Sequence, residues 1–243
     1  MRGLVWVAMF VAEIFVAFLS AAGGNAGAGS CEEWDLLQRQ IRDQAIPRLE
    51  ARAGIAALHE RLLKEYPSGA SQQGFIFPVR GASIRDIGGR DGRGFVASGY
   101  DFYEGNRHGG HPALDIFILD RNQDGLRDNN GEPVEILAFA GGVVVGANGE
   151  WDETSDIRGG KSVWVFSPSL RRYCYYAHLK EVMVKPGDVV SPGAVLGLLG
   201  RTGKNAVKKR SPTHLHFMCL SFDGGRMTPH NPYEELRSVG IPK

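Results

Sequence analysis

Hydrophobic spacing divides this chain of 243 residues into two parts. Within residues 31–66, apolar side chains recur at helical intervals, as at Trp34 and Ile41. Pro47 interrupts this pattern and predicts a break or kink, with a second helix over residues 48–65. The segment carries no chemical motif, so we interpret it as a helical spacer or as a helix pair packed on the next domain. A regulatory or partner-docking helix is the alternative.

After a predicted linker at residues 67–73, short apolar runs alternate with Gly and Pro turns. We therefore predict a mainly β domain over residues 74–243, an antiparallel sheet folded into a barrel-like sandwich behind an N-terminal helical segment. This length is sufficient to bury a hydrophobic core. The clearest predicted strands are Val134–Phe139, Gly142–Val145, Val163–Phe166 and Tyr173–Ala177.

Residues 1–28 resemble a targeting segment. Leu4 to Leu19 is almost wholly apolar apart from Glu13, and Arg2 precedes it. The run is short for a membrane-spanning helix of about 20 residues, so a secretory signal is favoured and an uncleaved anchor is the alternative. Cys31 suggests a lipoprotein site, but it lies far from the apolar run. We therefore expect an exported protein, located in the periplasm, the cell envelope or outside the cell.

Composition does not indicate a highly charged partner. The formal net charge is +1, so no strong electrostatic preference for nucleic acid or a membrane surface is expected. The basic run from Lys208 to Arg210 is best interpreted as a solvated loop, although it could contact an anionic wall polymer. Nothing in the sequence indicates an oligomeric state.

The chain has three cysteines, which leaves one unpaired if the other two form a disulfide. Cys174 and Cys219 could pair in an oxidising compartment. Regular strand alternation, however, places Cys174 on the face of His178 and places Cys219 opposite the face of His214 and His216. We therefore expect both cysteines to be buried as small hydrophobic residues.

Histidines in three short motifs carry the candidate chemistry. His214 and His216 face the same way in a strand, and His111 and Asp115 share a face in a strand or a helix. An apolar run typical of a buried strand follows Asp115. Two neighbouring strands could thus present His111, Asp115 and His216 to one ion, with His178 nearby. Each motif alone is common, but together they match a catalytic zinc site with three ligands and an open position.

The combination resembles the lysostaphin/LytM-type zinc metallopeptidases, which cut peptidoglycan cross-link peptides. The resemblance covers about residues 75–236. It rests on His111-x-x-x-Asp115, Tyr176–Leu179, the glycine-rich hairpin Val184–Gly197, Gly200–Gly203, Pro212–Phe217 and Asn231–Tyr233. By this resemblance His111, Asp115 and His216 are the ligands of one zinc ion, and His178 and His214 are the catalytic pair. The hairpin is also similar to that of lipoyl domains.

The implied chemistry is peptide hydrolysis by a zinc-activated water. A donor such as His178 would help to stabilise the oxyanion, and His214 would orient or deprotonate the water or protonate the leaving amine. The residues alone do not assign these two roles. The implied substrates are stem or bridge peptides of bacterial peptidoglycan.

An acidic loop departs from the family pattern and resembles the first part of a calcium loop. Oxygen-bearing side chains fall at loop positions 1, 3, 5 and 9, namely Asp120, Asn122, Asp124 and Asp128. Gly125 occupies position 6, but Gly131 stands where the bidentate glutamate is expected. We hypothesise a structural Ca²⁺ site, with a polar turn between strands as the alternative.

Two other functional classes stay open. A catalytically inactive relative would bind the cell wall or activate another hydrolase, but such relatives typically lack metal ligands. A lipoyl- or biotinyl-type carrier would explain the hairpin but not the histidines. The segment Asp101–Gly110, which includes His108, precedes the first motif and could cover the site in a resting state.

Overall fold

The computed structural model describes residues 29–67 and 74–239, so the predicted signal and most of the predicted linker lie outside the described residues. Two α-helices precede the strands of this part of the chain, and one short α-helix follows them. The elements are α1 Ser30–Arg42, α2 Arg48–Glu65, β1 Leu114–Phe117, β2 Glu135–Leu137, β3 Gly142–Asn148, β4 Lys161–Ser167, β5 Arg172–Val182, β6 Val189–Val190, β7 Val195–Leu199, β8 His214–Asp223, β9 Arg226–His230 and α3 Tyr233–Ser238. None of the helices in the described ranges has the length and hydropathy needed to cross a membrane.

The nine strands of the described ranges form one antiparallel sheet. The main path runs in the order β1-β8-β5-β4-β3-β6, while β7 pairs with β5 and β2, and β9 pairs with β8. The prediction of a mainly β, antiparallel domain behind a helical segment is confirmed. The barrel-like description is too strong, because β1 and β6 end the path without pairing with each other.

Each face of the sheet is covered by its own apolar layer. One layer contains Leu114, Tyr176 and Phe217 and is closed by the loops of the domain. On the other face, Trp34 of α1 is fully buried and stacks on Tyr173 of β5, with ring centroids 5.3 Å apart. Because burial of such a large aromatic surface is strongly favourable, the helical segment packs on the sheet.

His178 is the extra residue of a β-bulge in β5. Lys161 of β4 pairs with Leu179, whereas the next residue, Ser162, pairs with Ala177. The backbone of His178 adopts a left-handed φ of 68°, which is uncommon outside glycine. A bulge inserts one residue, so it reverses the alternation of side chains along β5.

This reversal explains why the expectation for the cysteines is wrong. Cys174 and Cys219 lie directly opposite each other in β5 and β8, with Cα atoms 4.2 Å apart, and are joined by a disulfide. Cys174 shares the core face with Tyr176 rather than the face of His178, because the bulge lies between them. The third cysteine, Cys31, is buried in α1.

The C-terminal end of α1 packs against the segment that leads to the first histidine motif. Gln44 adopts a left-handed φ of 58° just after the helix, and its side-chain amide donates to the carbonyl of Ile41 at 2.8 Å. Gly105 lies in the 3₁₀ helix Phe102–Arg107, where a Cβ atom would clash with the carbonyl oxygens of Ile41 and Arg42. This close approach holds the end of α1 beside the candidate site.

Candidate active site

The antiparallel pairing of β1 with β8 brings the candidate metal ligands together. Asp115 lies opposite His216, and its Oδ1 atom is 3.2 Å from Nδ1 of His216. The same Oδ1 atom is 3.2 Å from Nε2 of His111. One ligand atom from each residue lies within 4.8 Å of the others. Within the part of the chain that the structure describes, no other group of three or more His, Cys, Asp and Glu side chains lies this close together.

The chemistry of this cluster fits zinc. Two imidazole nitrogens and one carboxylate oxygen are typical zinc donors, and three protein ligands leave a coordination position open. The Nδ1 atom of His111 lies 3.0 Å from the carbonyl oxygen of Gly94, so its N–H donates there and Nε2 is left to bind a metal. Reciprocal backbone hydrogen bonds with Val96, each 2.7 Å long, hold His111 in place.

His178 and His214 lie beside this cluster as a pair, with ring centroids 4.9 Å apart. The Nδ1 atom of His178 is 2.8 Å from the carbonyl oxygen of Thr202, and that of His214 is 2.7 Å from the carbonyl oxygen of Pro212. A carbonyl oxygen only accepts hydrogen bonds, so Nδ1 carries the proton in both rings and Nε2 is left as an acceptor. Nε2 of His214 lies 3.7 Å from Oδ1 of Asp115.

The Gly200–Gly203 segment positions His178. The hydroxyl of Thr202 donates to the carbonyl of Leu179 at 2.7 Å and accepts from the backbone N–H of Lys161 at 2.9 Å. Gly203 has a φ of 113°, and a Cβ atom there would come within 3.0 Å of Nδ1 of His178. The signature therefore contains a glycine where the loop passes close to the imidazole.

Burial and the charge of Asp115 shift the pKa values of the side chains at the site. Burial opposes ionisation of Asp115, but the hydrogen bonds from His111 and His216 together hold its pKa well below the usual range. The bond with Asp115 raises the pKa of His111, while burial and the charge of Arg158 oppose that rise. Burial lowers the pKa of His216 despite the Asp115 carboxylate. Burial is also the largest cause that lowers the pKa of His178, to about 3.

The candidate metal ligands and the histidine pair line one cavity of about 330 Å³. Gln38, Ile41 and Arg42 of α1 form part of its wall, and His108 also lines it. The segment 101–110 is thus at the site, as expected from the sequence. The contribution of α1 was not predicted, because its spacing indicates only an amphipathic helix and its position depends on tertiary packing.

The acidic loop does not support the predicted Ca²⁺ site. The carboxylate of Asp120 is buried and accepts from the backbone N–H groups of Asp124 and Gly125, at 3.1 and 2.9 Å, and from the Thr213 hydroxyl at 2.6 Å. The other predicted donors are also engaged. Asn122 donates to Asp124, and Asp128 accepts from the backbone of Arg121. The three carboxylates of this loop accept hydrogen bonds within a polar turn, which was the alternative interpretation.

Part of the sequence matches the model of a known protein family. Residues 123–229 match the sequence model described as Peptidase family M23. The matched stretch includes His178, His214 and His216 and begins after Asp115, so the pairing of β1 with β8 brings the remaining two candidate ligands to it.

Two curated relatives are similar to this chain over 146 residues at 30% identity, which is 60% of this chain. They are lysostaphin from Staphylococcus staphylolyticus and lysostaphin from Staphylococcus simulans, and the aligned part spans about a quarter of their lengths, 26% and 25%.

Similar solved structures include the catalytic domain of the antimicrobial peptidase lysostaphin from Staphylococcus simulans. It is 26% identical, with 54% of this chain and 81% of that chain covered and a TM-score of 0.38. A zinc containing peptidase from Vibrio cholerae is 17% identical over 70% of this chain and 41% of that chain, also with a TM-score of 0.38. The family match and the lysostaphin relatives together make the chain similar to peptidase family M23 over residues 123–229.

Proposed function

We propose that the chain is a zinc metallo-endopeptidase that hydrolyses stem or bridge peptides of bacterial peptidoglycan. The observation that carries this proposal is the convergence of two chemically distinct groups in one cavity. His111, Asp115 and His216 offer metal ligands, and His178 and His214 offer two proton acceptors beside them. The match of residues 123–229 to peptidase family M23 and the similarity to lysostaphin support the same substrate class.

In this proposal His111, Asp115 and His216 hold one zinc ion. Bound zinc supplies Lewis-acid chemistry, since it polarises a peptide carbonyl and lowers the pKa of a water molecule. The Asp115 carboxylate neutralises part of the positive charge, and the hydrogen bond from His111 to Gly94 fixes the orientation of that ring.

The histidine pair manages protons. Nε2 of His178 and Nε2 of His214 have no proton in the neutral rings, because each Nδ1–H is donated to a backbone carbonyl. Either Nε2 atom can accept a proton from the attacking water, and the resulting imidazolium can donate that proton to the leaving amine or a hydrogen bond to the oxyanion. The backbone carbonyls of Thr202 and Pro212 stabilise the protonated rings by accepting their Nδ1–H groups.

The site of action that we propose is the cell envelope or the extracellular space. The disulfide between Cys174 and Cys219 suits an oxidising compartment. The predicted secretory signal, which would export the chain or anchor it to a membrane, lies within residues 1–28 and outside the described residues.

The test is product analysis after incubation of the full chain with purified peptidoglycan. Mass spectrometry of the released fragments should reveal new amino termini within stem or bridge peptides and identify the bond that is cut. The Asp115→Ala variant is the matched control, because it removes a proposed metal ligand outside the histidine pair. Metal analysis of both proteins should give about one zinc per chain for the wild type and much less for the variant.

Two results would count against the proposal. Release of identical fragments by Asp115→Ala would exclude a role for the proposed metal site. A folded, zinc-loaded wild-type protein that releases nothing but sediments with peptidoglycan would indicate a wall-binding relative without activity.

A further inference from the structure

We propose that Arg158 binds a carboxylate of the substrate, so that the site selects a peptide with a free carboxylate near the cut bond over an uncharged glycyl peptide. This inference rests on the proposed endopeptidase function and specifies the class of peptide that the cavity accepts. The carboxylate belongs either to an acidic side chain or to the end of the peptide chain.

The charges in the cavity wall point to Arg158. Apart from the histidines, the charged side chains that line the cavity in the described part of the chain are Asp115, Arg42 and Arg158. Asp115 is engaged by His111 and His216. Both Nε and Nη2 of Arg42 donate to the carboxylate of its neighbour Asp43 at 2.7 Å, so the charge of Arg42 is already compensated.

Arg158 has no such compensation. Its Nη1 atom donates to the carbonyl oxygen of His108 at 3.0 Å, and no Asp or Glu of the described ranges forms an ion pair with it. The side chain is half-buried at the cavity wall. A guanidinium group has five N–H donors, so most of its donor capacity is left for a ligand.

The backbone of Arg158 lies beside one of the proton-accepting histidines, and its side chain reaches the segment before His111. Its carbonyl oxygen lies so close to Gly203 that a Cβ atom there would clash with it, and that same Cβ would be 3.0 Å from Nδ1 of His178. The bond to the carbonyl of His108 ties the guanidinium to the segment that leads to His111. The backbone of Arg158 therefore lies near His178, and its guanidinium group lies on the cavity wall formed by the segment before His111.

Carboxylate recognition follows from the shape of the guanidinium group. Its planar fork can donate two parallel hydrogen bonds to a carboxylate, which are roughly twice as strong as neutral hydrogen bonds. A glycyl peptide with blocked ends has only carbonyl oxygens to offer. It would leave the arginine charge without a counterion in a partly desolvated wall, which is costly.

The test compares substrates that differ only in charge. One set of synthetic peptides carries Glu or Gln at successive positions on both sides of the cut bond, and a second set ends in a carboxylate or a carboxamide. We expect the wild type to prefer one acidic peptide over its neutral isostere by about 10- to 100-fold in kcat/KM, the range given by a charge-assisted hydrogen bond. The set in which the preference occurs identifies the source of the carboxylate.

Three variants assign the preference to its residue. Arg158→Gln should reduce the preference to about twofold or less, and Arg158→Lys should retain part of it, because an ammonium keeps the charge without the fork. Lys204→Gln is the matched control, since Lys204 lies on the adjacent loop, pairs with Asp156 and does not line the cavity. It should keep the full preference. Thermal unfolding midpoints should verify that all variants are folded.

Calorimetric binding of the same peptides to the metal-free proteins provides a readout independent of hydrolysis. If no peptide is cut, the proposed function fails, but tighter binding of the acidic peptide that depends on Arg158 would still support this inference. Equal kcat/KM and equal affinity for acidic and neutral peptides would overturn it. A preference that persists in Arg158→Gln would also overturn it.

Discussion

Asp115 and Asp120 are close in the sequence, and both are partly or fully removed from solvent, yet their surroundings are opposite. Asp115 faces imidazole nitrogens of His111 and His216, which can exchange a hydrogen bond for a metal bond. Asp120 faces backbone N–H groups, which cannot bind a cation, and the hydroxyl of Thr213, which donates its proton to the carboxylate. The first region is arranged to accept an ion, and the second is a closed hydrogen-bonded turn.

The difference shows that a list of oxygen and nitrogen donors does not identify a metal site. The acidic loop offers more candidate oxygens than the histidine cluster, but its carboxylates accept hydrogen bonds from the loop backbone, from the Asn122 amide and from the Thr213 hydroxyl. At Asp115, the partners are themselves potential ligands, and the opposite side of the His111 ring is held by the carbonyl of Gly94. The chemistry of the partners, rather than the number of carboxylates, separates the two regions.

The same substitution in both regions tests this comparison most strongly. We expect Asp115→Asn to abolish stoichiometric zinc and to reduce peptide hydrolysis by roughly three orders of magnitude, because a proposed metal ligand is lost. Metal analysis and kcat/KM with a peptide substrate measure the two effects. Asp120→Asn should retain the zinc content of the wild type. If the two variants lost zinc equally, the distinction between the regions would be wrong.

The same comparison can be made between two histidines, His59, which lies outside the site, and His111, which lies within it. His59 of α2 is fully buried, and its Nδ1 atom is 2.9 Å from the hydroxyl of Tyr173 rather than beside a carboxylate. Burial, followed by the charge of Arg171, lowers the pKa of His59 to about 4, whereas Asp115 raises that of His111. The pKa of His59 is about 6.5 when unfolded, so the unfolded chain binds its proton first.

The contribution of His59 to stability is therefore complete above about pH 6.5 and is lost as the pH falls towards about 4, by up to about 3 kcal/mol. His59→Phe should flatten this dependence, since phenylalanine does not titrate. Denaturant unfolding at pH 7 and pH 5 measures the difference for both proteins, and titration of other groups largely cancels in the comparison. An equal loss in wild type and variant would show that His59 is not the group responsible.

A smaller effect is expected on the stability of the acidic loop. Asp120→Asn retains one acceptor oxygen but places an amide opposite N–H and O–H donors, so it should cost about 2 kcal/mol in the free energy of unfolding. Asp124→Asn is the matched control, because Asp124 is exposed and its Oδ1 accepts one bond from the loop backbone, from Leu126 at 2.8 Å. Urea unfolding should rank the two costs in that order, and an equal cost would contradict the role assigned to Asp120.

Local patterns predicted much of the fold and of the metal cluster. Pro47 correctly marks the break before α2, which covers Arg48–Glu65 as its spacing indicates. Strand periodicity also indicated that two neighbouring strands could present Asp115 and His216 to one ion, and β1 and β8 do bring these two residues opposite each other. The helix break and the face of each strand depend on residues near in sequence, so the local pattern is sufficient to recognise them, whereas the pairing of β1 with β8 is a tertiary contact.

Features that depend on a single inserted residue or on distant packing were not predictable in this way. The bulge at His178 leaves no signature in the hydrophobic alternation, so counting across it assigned Cys174 to the wrong face. The cavity wall formed by Gln38 and Arg42 follows from burial of Trp34 against the sheet. Likewise, the spacing of the acidic loop shows its oxygens but not the Thr213 hydroxyl that occupies one of them.

The smallest expected effect is the response to calcium. Because the carboxylate oxygens of Asp120 already accept hydrogen bonds from Asp124, Gly125 and Thr213, Ca²⁺ would have to displace those donors before it could bind. We expect the thermal unfolding midpoint to be unchanged in excess Ca²⁺ and unchanged by a chelator specific for calcium. Occupancy at 100 times the dissociation constant would add about 2.7 kcal/mol and shift the midpoint by several degrees, so a real site would be detected easily. A midpoint that rises with calcium concentration, and rises less in Asp120→Asn, would show that the loop rearranges to bind the ion. The chemistry of the contacting groups alone would then not distinguish Asp115 from Asp120.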